Sequence, residues 1–205
     1  MFTGIIQDLV PVTWVEHKGN AVRFSLTLSI SSLTNLHLGA SLAVDGVCLT
    51  VAHIEGNEVF FDVMAETLSI TTLKTIQVGQ YRNIERSLSF GSEIGGHILS
   101  GHVIGEATIS HIEKGSNELQ INTFQCNPNW MKYILTKGFI ALDGASLTIV
   151  DPSPHGTFKI HFIPETIKRT TLGQKIVGSQ VNLEIDPQTQ AIVDTVEKVL
   201  AERQA

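Results

Sequence analysis

The chain of 205 residues holds only two cysteines, Cys48 and Cys126. A disulfide framework and a structural zinc site both need more ligands at short spacing, so neither is expected, and no metal is assigned. No run of 18 apolar residues occurs, which leaves no candidate membrane-spanning helix. The opening MFTGIIQDLV has no basic stretch and meets an acid at Asp8. A secretory signal is therefore not expected, and the cytoplasm is the default compartment. Basic charge is scarce and scattered, with 14 lysines and arginines against 20 acids and a net charge of −6. Phosphate backbones are gripped by concentrated positive charge, so a nucleic-acid partner is not expected either. What the chain has in quantity is apolar side chains, 42% of the whole, which lets it bury a core.

The chain is written twice. Leu42-Ala43-Val44-Asp45-Gly46-Val47-Cys48-Leu49-Thr50 is answered by Ile140-Ala141-Leu142-Asp143-Gly144-Ala145-Ser146-Leu147-Thr148, an offset of 98 residues. Glu66-Thr67 is answered by Glu165-Thr166, Thr71-Thr72-Leu73 by Thr170-Thr171-Leu172, and Asn83-Ile84-Glu85 by Asn182-Leu183-Glu184. Thr3-Gly4-Ile5-Ile6 resembles Ser100-Gly101-His102-Val103. A near-constant offset over so many segments marks a tandem duplication.

Each half reads as β. Arg23 to Leu28, Leu42 to Val51 and Glu58 to Val63 are short alternating or β-branched stretches, with turn signals at Asp45-Gly46 and Gly56-Asn57. Glu118 to Asn122 and Thr157 to Phe162 alternate likewise. Asn127-Pro128-Asn129 ahead of Trp130 to Leu135 predicts a capped short helix. Many short strands per half suggest two small closed barrels, because closure removes exposed sheet edges. From Asp186-Pro187 the pattern turns helical, and Ile192, Val196, Val199 and Arg203 recur at heptad spacing. That helix either docks on its own barrel or associates with copies of itself.

Three places carry candidate chemistry. Cys48 lies where the second repeat has Ser146, so both positions hold a nucleophile-type atom; the alternative is a small buried hydrophobe. The joining segment Gly91 to His102 has glycines that admit a ligand to the backbone and histidines suited to proton transfer. His102 stands where the first repeat has Ile5, an asymmetry between otherwise similar halves. Glu66-Thr67 and Glu165-Thr166 each end an apolar strand, where they either hold polar substrate atoms or, the favoured reading, cap the following turn.

The blocks Met1-Phe2-Thr3-Gly4-Ile5-Ile6, Asp45 to Val51, Glu93-Ile94-Gly95-Gly96-His97 through His102, Lys137 to Ile140, Asp143 to Thr148, Ile163 to Thr166 and Asn182 to Pro187 together resemble the riboflavin synthase family, α-type, over essentially the whole chain. One departure is Asp45, where many members carry asparagine; the acceptor is kept. The resemblance implies an all-β fold of two tandem six-stranded Greek-key barrels, residues 1–97 and 98–190, and a C-terminal trimerisation helix, 191–205. It also implies a homotrimer, association with lumazine synthase, and no cofactor.

By the same resemblance each barrel binds one 6,7-dimethyl-8-ribityllumazine, and a site forms where the first barrel of one chain meets the second barrel of a neighbour. His102 is carried over as a base, Cys48 and Ser41 as nucleophile or proton relay, and Asp143 and Asp186 as polar partners of the second pocket. Ring and ribityl recognition fall on Gly4, Ile5, Ile6, Cys48, Leu49, Thr50, Asp62, Val63, Met64, Ala65, Glu66 and Thr67. In the second half they fall on Gly101, His102, Val103, Lys137, Ser146, Leu147, Thr148, Phe162, Ile163, Pro164, Glu165, Thr166 and Ile167. The rival reading is a chromophore-binding antenna on the same fold, which by resemblance lacks the equivalents of Cys48 and His102. A flavin reductase barrel finds no support, since no GxGxxG occurs.

Overall fold

The computed structural model describes residues 1–115 and 119–204. The first repeat forms strands β1 (Asp8–Lys18), β2 (Ala21–Thr27), β3 (Ser41–Val44), β4 (Val47–Glu55), β5 (Glu58–Val63) and β6 (Tyr81–Arg86). They close into a barrel in the order β1-β2-β5-β4-β3-β6, with β1 also pairing β6. Strand β5 returns past its hairpin partner to lie beside β2, the Greek-key crossing. Short helices α1 (Ile30–Leu33) and α2 (Ala65–Ile70) fill connections.

The second repeat forms β7 (Gly105–Lys114), β8 (Gln120–Gln125), β9 (Phe139–Leu142), β10 (Ala145–Thr148), β11 (Val150–Ser153), β12 (Thr157–Phe162) and β13 (Gln180–Ile185), with helix α3 (Pro164–Arg169). The order β10-β9-β13-β7-β8-β12-β11 is that of the first barrel with its fourth strand in two pieces. Pro152 has no N–H to give the ladder, Asp151 sits at φ 46°, and the register slips between Val150 and Ser153. The seventh strand therefore comes from an interruption of the fourth and is no change of topology.

Alternation fixes which face is core. In β5, Val59, Phe61 and Val63 point inward; in β12, Phe158, Ile160 and Phe162 do the same. Each barrel has its own apolar centre, around Phe24, Phe61 and Leu73 in one and Phe124, Phe158 and Leu172 in the other. Burying each such side chain contributes about 1.5–3 kcal/mol.

Three expectations are refined. Leu42 to Val51 is two strands joined by a tight hairpin, because Asp45 and Gly46 both adopt positive φ, 45° and 79°, as this turn requires. The helix after Asn127 is a 3₁₀ turn, Pro128–Tyr133, capped by Asn127 Oδ1 accepting from the Asn129 N–H at 3.0 Å. The strand expected at Glu118 to Asn122 runs from Gln120 to Gln125, and Glu118 lies outside the described residues.

The C-terminal helix α4 spans Pro187–Gln204. It docks on the second barrel through Val193, through Tyr133 Oη donating to Asp194 at 2.5 Å, and through Lys132 paired with Glu197. Ile192, Val196, Val199 and Leu200 stay exposed. The helix is therefore docked on its own barrel by one face, and its other, apolar face is open. No helix among the described residues is long and apolar enough to cross a membrane.

Candidate active site

Each repeat lends its first residues to the other barrel. Phe2 and Leu99 pair their backbones at 2.8 and 3.0 Å, so the two leading segments run side by side between the barrels. Beyond that bridge they cross over. Ile6 enters the core of the second barrel, and Val103 enters the core of the first. The Gly4 carbonyl accepts from the Ser146 N–H at 2.8 Å, and the Gly101 carbonyl accepts from the Cys48 N–H at 3.0 Å. A Cβ on Gly4 or Gly101 would lie 2.5 Å from the Cβ of Ser146 or Cys48, and both glycines have positive φ. No other residue fits this close approach.

Buried carboxylates hold the crossing in place. Glu85 accepts from Thr3 N, Thr3 Oγ1 and Gly4 N at 2.6, 2.7 and 2.9 Å. Glu184 accepts from Ser100 N and Ser100 Oγ, both at 2.8 Å, and from Gly101 N at 3.1 Å. Burial pushes the Glu85 carboxyl upward, and its three donors oppose that.

Two similar hollows result, about 200 and 230 Å³. The first is lined by Val47, Cys48, Glu66, Thr67, Ile70 and Thr71 of the first repeat and Gly101, His102 and Val103 of the second. The other is lined by Gly4, Ile5 and Ile6 of the first repeat and Ala145, Ser146, Ile163, Glu165, Thr166, Arg169 and Thr170 of the second. The duplication therefore made a pair of pockets, each built by both repeats. Three larger grooves, beside His17 and Lys74, beside Lys114 and Pro164 and beside Pro128 and Pro154, are each lined by a single repeat.

The pockets share a frame and differ in their chemical groups: Cys48 faces Ser146 by position, His102 faces Ile5, and Ile70 faces Arg169. Cys48 is half-buried: it lines the pocket and also packs against Phe2, Ala43, Leu99 and Ala141. Glu66-Thr67 and Glu165-Thr166 are not caps. They lie in the first turns of α2 and α3, whose N-cap residues are Met64 and Ile163, without side-chain acceptors. The capping threonine of the second repeat is Thr170, which receives the Leu172 N–H. Both Glu-Thr pairs line the pockets instead.

Ser41 and Thr50 pair across the β3–β4 hairpin on the same outer face as Cys48, while Leu49 points into the core. Thr148 lies on the equivalent outer face of the second barrel, and Leu147 points inward. Val63 and Phe162 are core residues that anchor the strands leading to α2 and α3. Ile163 is on the second pocket's wall, whereas Met64 is exposed, Ala65 lines the groove beside His17 and Lys74, and Pro164 lines the groove beside Lys114. Ile167 packs against the second core. Asp62 is held by Arg23 at 2.7 and 2.8 Å, and Lys137 sits in a positive-φ turn ahead of β9.

Two of the expected polar partners lie off the second pocket's wall. Asp143 is fully buried between the barrels, its Oδ1 accepting from Asn182 N at 2.7 Å and its Oδ2 3.1 Å from Lys175 Nζ. Burial pushes it up to about 6 against the pull of Lys175. Asp186 opens α4, accepting from Thr189 N and Oγ1 at 3.1 and 2.6 Å.

One residue went unassigned in the sequence. His97, buried and stacked on Phe139 with centroids 5.0 Å apart, places Nδ1 2.6 Å from Ser146 Oγ. Burial lowers its pKa and keeps the ring neutral, while Asp186 favours the charged form. The available signal was its place in the glycine-rich joining segment.

The family model described as Lumazine binding domain matches twice, at residues 3–87 and 100–186. The chain is 48% identical over 204 residues to the riboflavin synthase of Escherichia coli (strain K12), covering 100% of this chain and 95% of the relative. It is 44% identical over 207 residues to that of Chlamydia pneumoniae, covering 98% of each. Among solved structures, LumP complexed with riboflavin superposes at a TM-score of 0.82 with 28% identity, covering 90% of this chain and 99% of that one.

Proposed function

The chain belongs to the riboflavin synthase family, and from that premise we propose how its two unlike pockets divide the reaction. It is an enzyme, a transferase: two molecules of 6,7-dimethyl-8-ribityllumazine become riboflavin and 5-amino-6-ribitylaminouracil as a four-carbon unit passes from one to the other. The products together contain every atom of the two substrates, so nothing else is consumed. The observation that carries the division of roles is the paired frame with exchanged groups, which lets one pocket treat its lumazine differently from its twin.

In the Ser146 pocket a proton leaves the 7-methyl carbon and the electron pair spreads into the ring. Ser146 Oγ takes that proton while handing its own to His97 Nδ1 across 2.6 Å. Burial supplies a neutral acceptor at the start, and Asp186 favours the cation that forms. In the Cys48 pocket the thiol adds to the ring of the second lumazine, and His102 on the same wall takes the thiol proton. Glu66, Thr67, Glu165 and Thr166 hold ribityl hydroxyls, and Ser41 relays protons along the face it shares with Cys48.

For the two rings to meet, the first barrel of one chain faces the second barrel of another. The exposed Ile192, Val196, Val199 and Leu200 support a homotrimer joined through α4. Work in the cytoplasm and association with lumazine synthase extend the same reading. Against the chromophore-binding alternative, the riboflavin synthase of Escherichia coli matches the whole chain at 48% where LumP, solved with riboflavin, matches at 28%, and Cys48 and His102 share one wall. Titration with riboflavin, an unreactive product, tests the pocket pair: two bound flavins per chain with unequal affinities are expected, and one per chain would contradict it.

A further inference from the structure

Ile70 and Arg169 occupy equivalent places, each one residue ahead of the threonine that closes its pocket, Thr71 or Thr170. The substitution changes the charge of the wall. Glu66 is the only formally charged group lining the first pocket; in the second, Glu165 is paired by Arg169 through Nε, one helical turn along α3. Everything else on the two walls is neutral at neutral histidine. The pockets thus differ by one positive charge. The pair is solvent-facing on a six-residue helix, where it adds little to stability, so its position on a pocket rim calls for another role.

Resting on the two-pocket reading above, we propose that Arg169 makes the second pocket the one that holds lumazine as its 7-methyl anion, while Ile70 leaves the first pocket for the neutral molecule. The C–H bond of the 7-methyl breaks, its electron pair spreads into the ring, and the proton passes by way of Ser146 to His97. A guanidinium keeps its charge at every working pH and so stabilises that anion without competing for the proton. The first pocket presents only a carboxylate, which opposes an anion. The same charge therefore assigns nucleophile and electrophile to particular pockets, a choice that two symmetric pockets would leave open.

The test compares Arg169→Ile and Arg169→Lys in the full-length protein, with riboflavin-binding stoichiometry confirming that both pockets still form. One charge a few ångströms away at near-solvent dielectric moves an ionisation by about 0.5–1 unit. The rising limb of kcat for Arg169→Ile is expected to move up by that amount, with KM little changed. Uptake of deuterium into the 7-methyl group of unconverted lumazine, followed by proton NMR near neutral pH, should fall about 3- to 10-fold. Arg169→Lys should restore both. Unchanged exchange and an unchanged pH profile in Arg169→Ile would overturn the proposal, as would an equal loss at every pH that lysine fails to restore. If the parent protein makes no riboflavin at all, the reading beneath has failed; if it does and Arg169→Ile behaves like it, only the charge assignment has.

Discussion

Asn83 and Asn182 each reach into the other repeat. Asn83 Nδ2 donates to the Asp143 carbonyl and Asn182 Nδ2 to the Asp45 carbonyl, both at 2.8 Å. Their Oδ1 atoms accept from Thr171 N and Thr72 N, again at 2.8 Å. Of these four buried bonds, two tie the hairpin turn of each barrel to the other barrel's last strand and two tie that strand to the 3₁₀ turn at Thr72 or Thr171. Gly46 and Gly144 meet beside them so closely that a Cβ on either would lie 2.7 Å from the other's nitrogen.

Asn83→Ala removes a donor and an acceptor and strands a buried carbonyl and N–H. The expected loss is about 2–4 kcal/mol in urea unfolding, and Asn182→Ala should match it. Because both act on one interface, the double variant should lose less than the sum. A loss below about 0.5 kcal/mol in either single variant would mean that the barrels are held together by other contacts.

Asp143 gives stability a pH dependence of definite sign. Its folded value is about 6 against an ordinary 3.8, because burial disfavours the charged form. Its contribution is thus fully present below 3.8 and is lost as pH rises through about 6. Asp143→Asn, neutral throughout, should gain roughly 2–3 kcal/mol on the parent between pH 4 and 7. Unfolding free energies of both proteins across that range decide it; a flat difference would place the titration elsewhere.

Cys48→Ser, His102→Gln and Ser146→Ala should all fold and bind riboflavin while turning over slowly. Removing a proton-transfer group costs about 10²–10⁴-fold in rate. If kcat per folded molecule survives in all three, the pocket chemistry is misassigned and these residues serve packing.

Much of this was legible in the residues. The duplication, the strands from Arg23, Glu58 and Thr157, and the terminal helix follow from periods of two and 3.6 and from turn signals. The exchange of leading segments was not, because Gly4 against Ser146 and Gly101 against Cys48 are distant pairs with no periodic trace. The Glu-Thr pairs read as caps because a strand end and a helix first turn share the same polar residues. At Asp45 the sequence shows only that asparagine's acceptor is kept; its pairing with buried Arg82 at 2.8 Å is visible only in space. His97 lies in the segment singled out for its histidines, but its role has no trace in the sequence because its partner Ser146 is 49 residues away.

Replacing Ile192, Val196 and Val199 with serine removes the apolar face of α4 but spares Val193 and Asp194, which dock the helix. Sedimentation should then show a shift from trimer toward monomer, with activity falling steeply at low concentration because a site needs two chains. A fully active monomer would contradict the shared site.

Catalysis rests on two unlike pockets, the first of one chain and the second of its neighbour. Incubation of the protein with 6,7-dimethyl-8-ribityllumazine and buffer alone, with separation of the products, tests it most directly. Riboflavin and 5-amino-6-ribitylaminouracil should accumulate in equal amounts, one of each for every two lumazines consumed. Stoichiometric binding of lumazine without turnover would contradict the account and leave a chromophore-binding protein in its place.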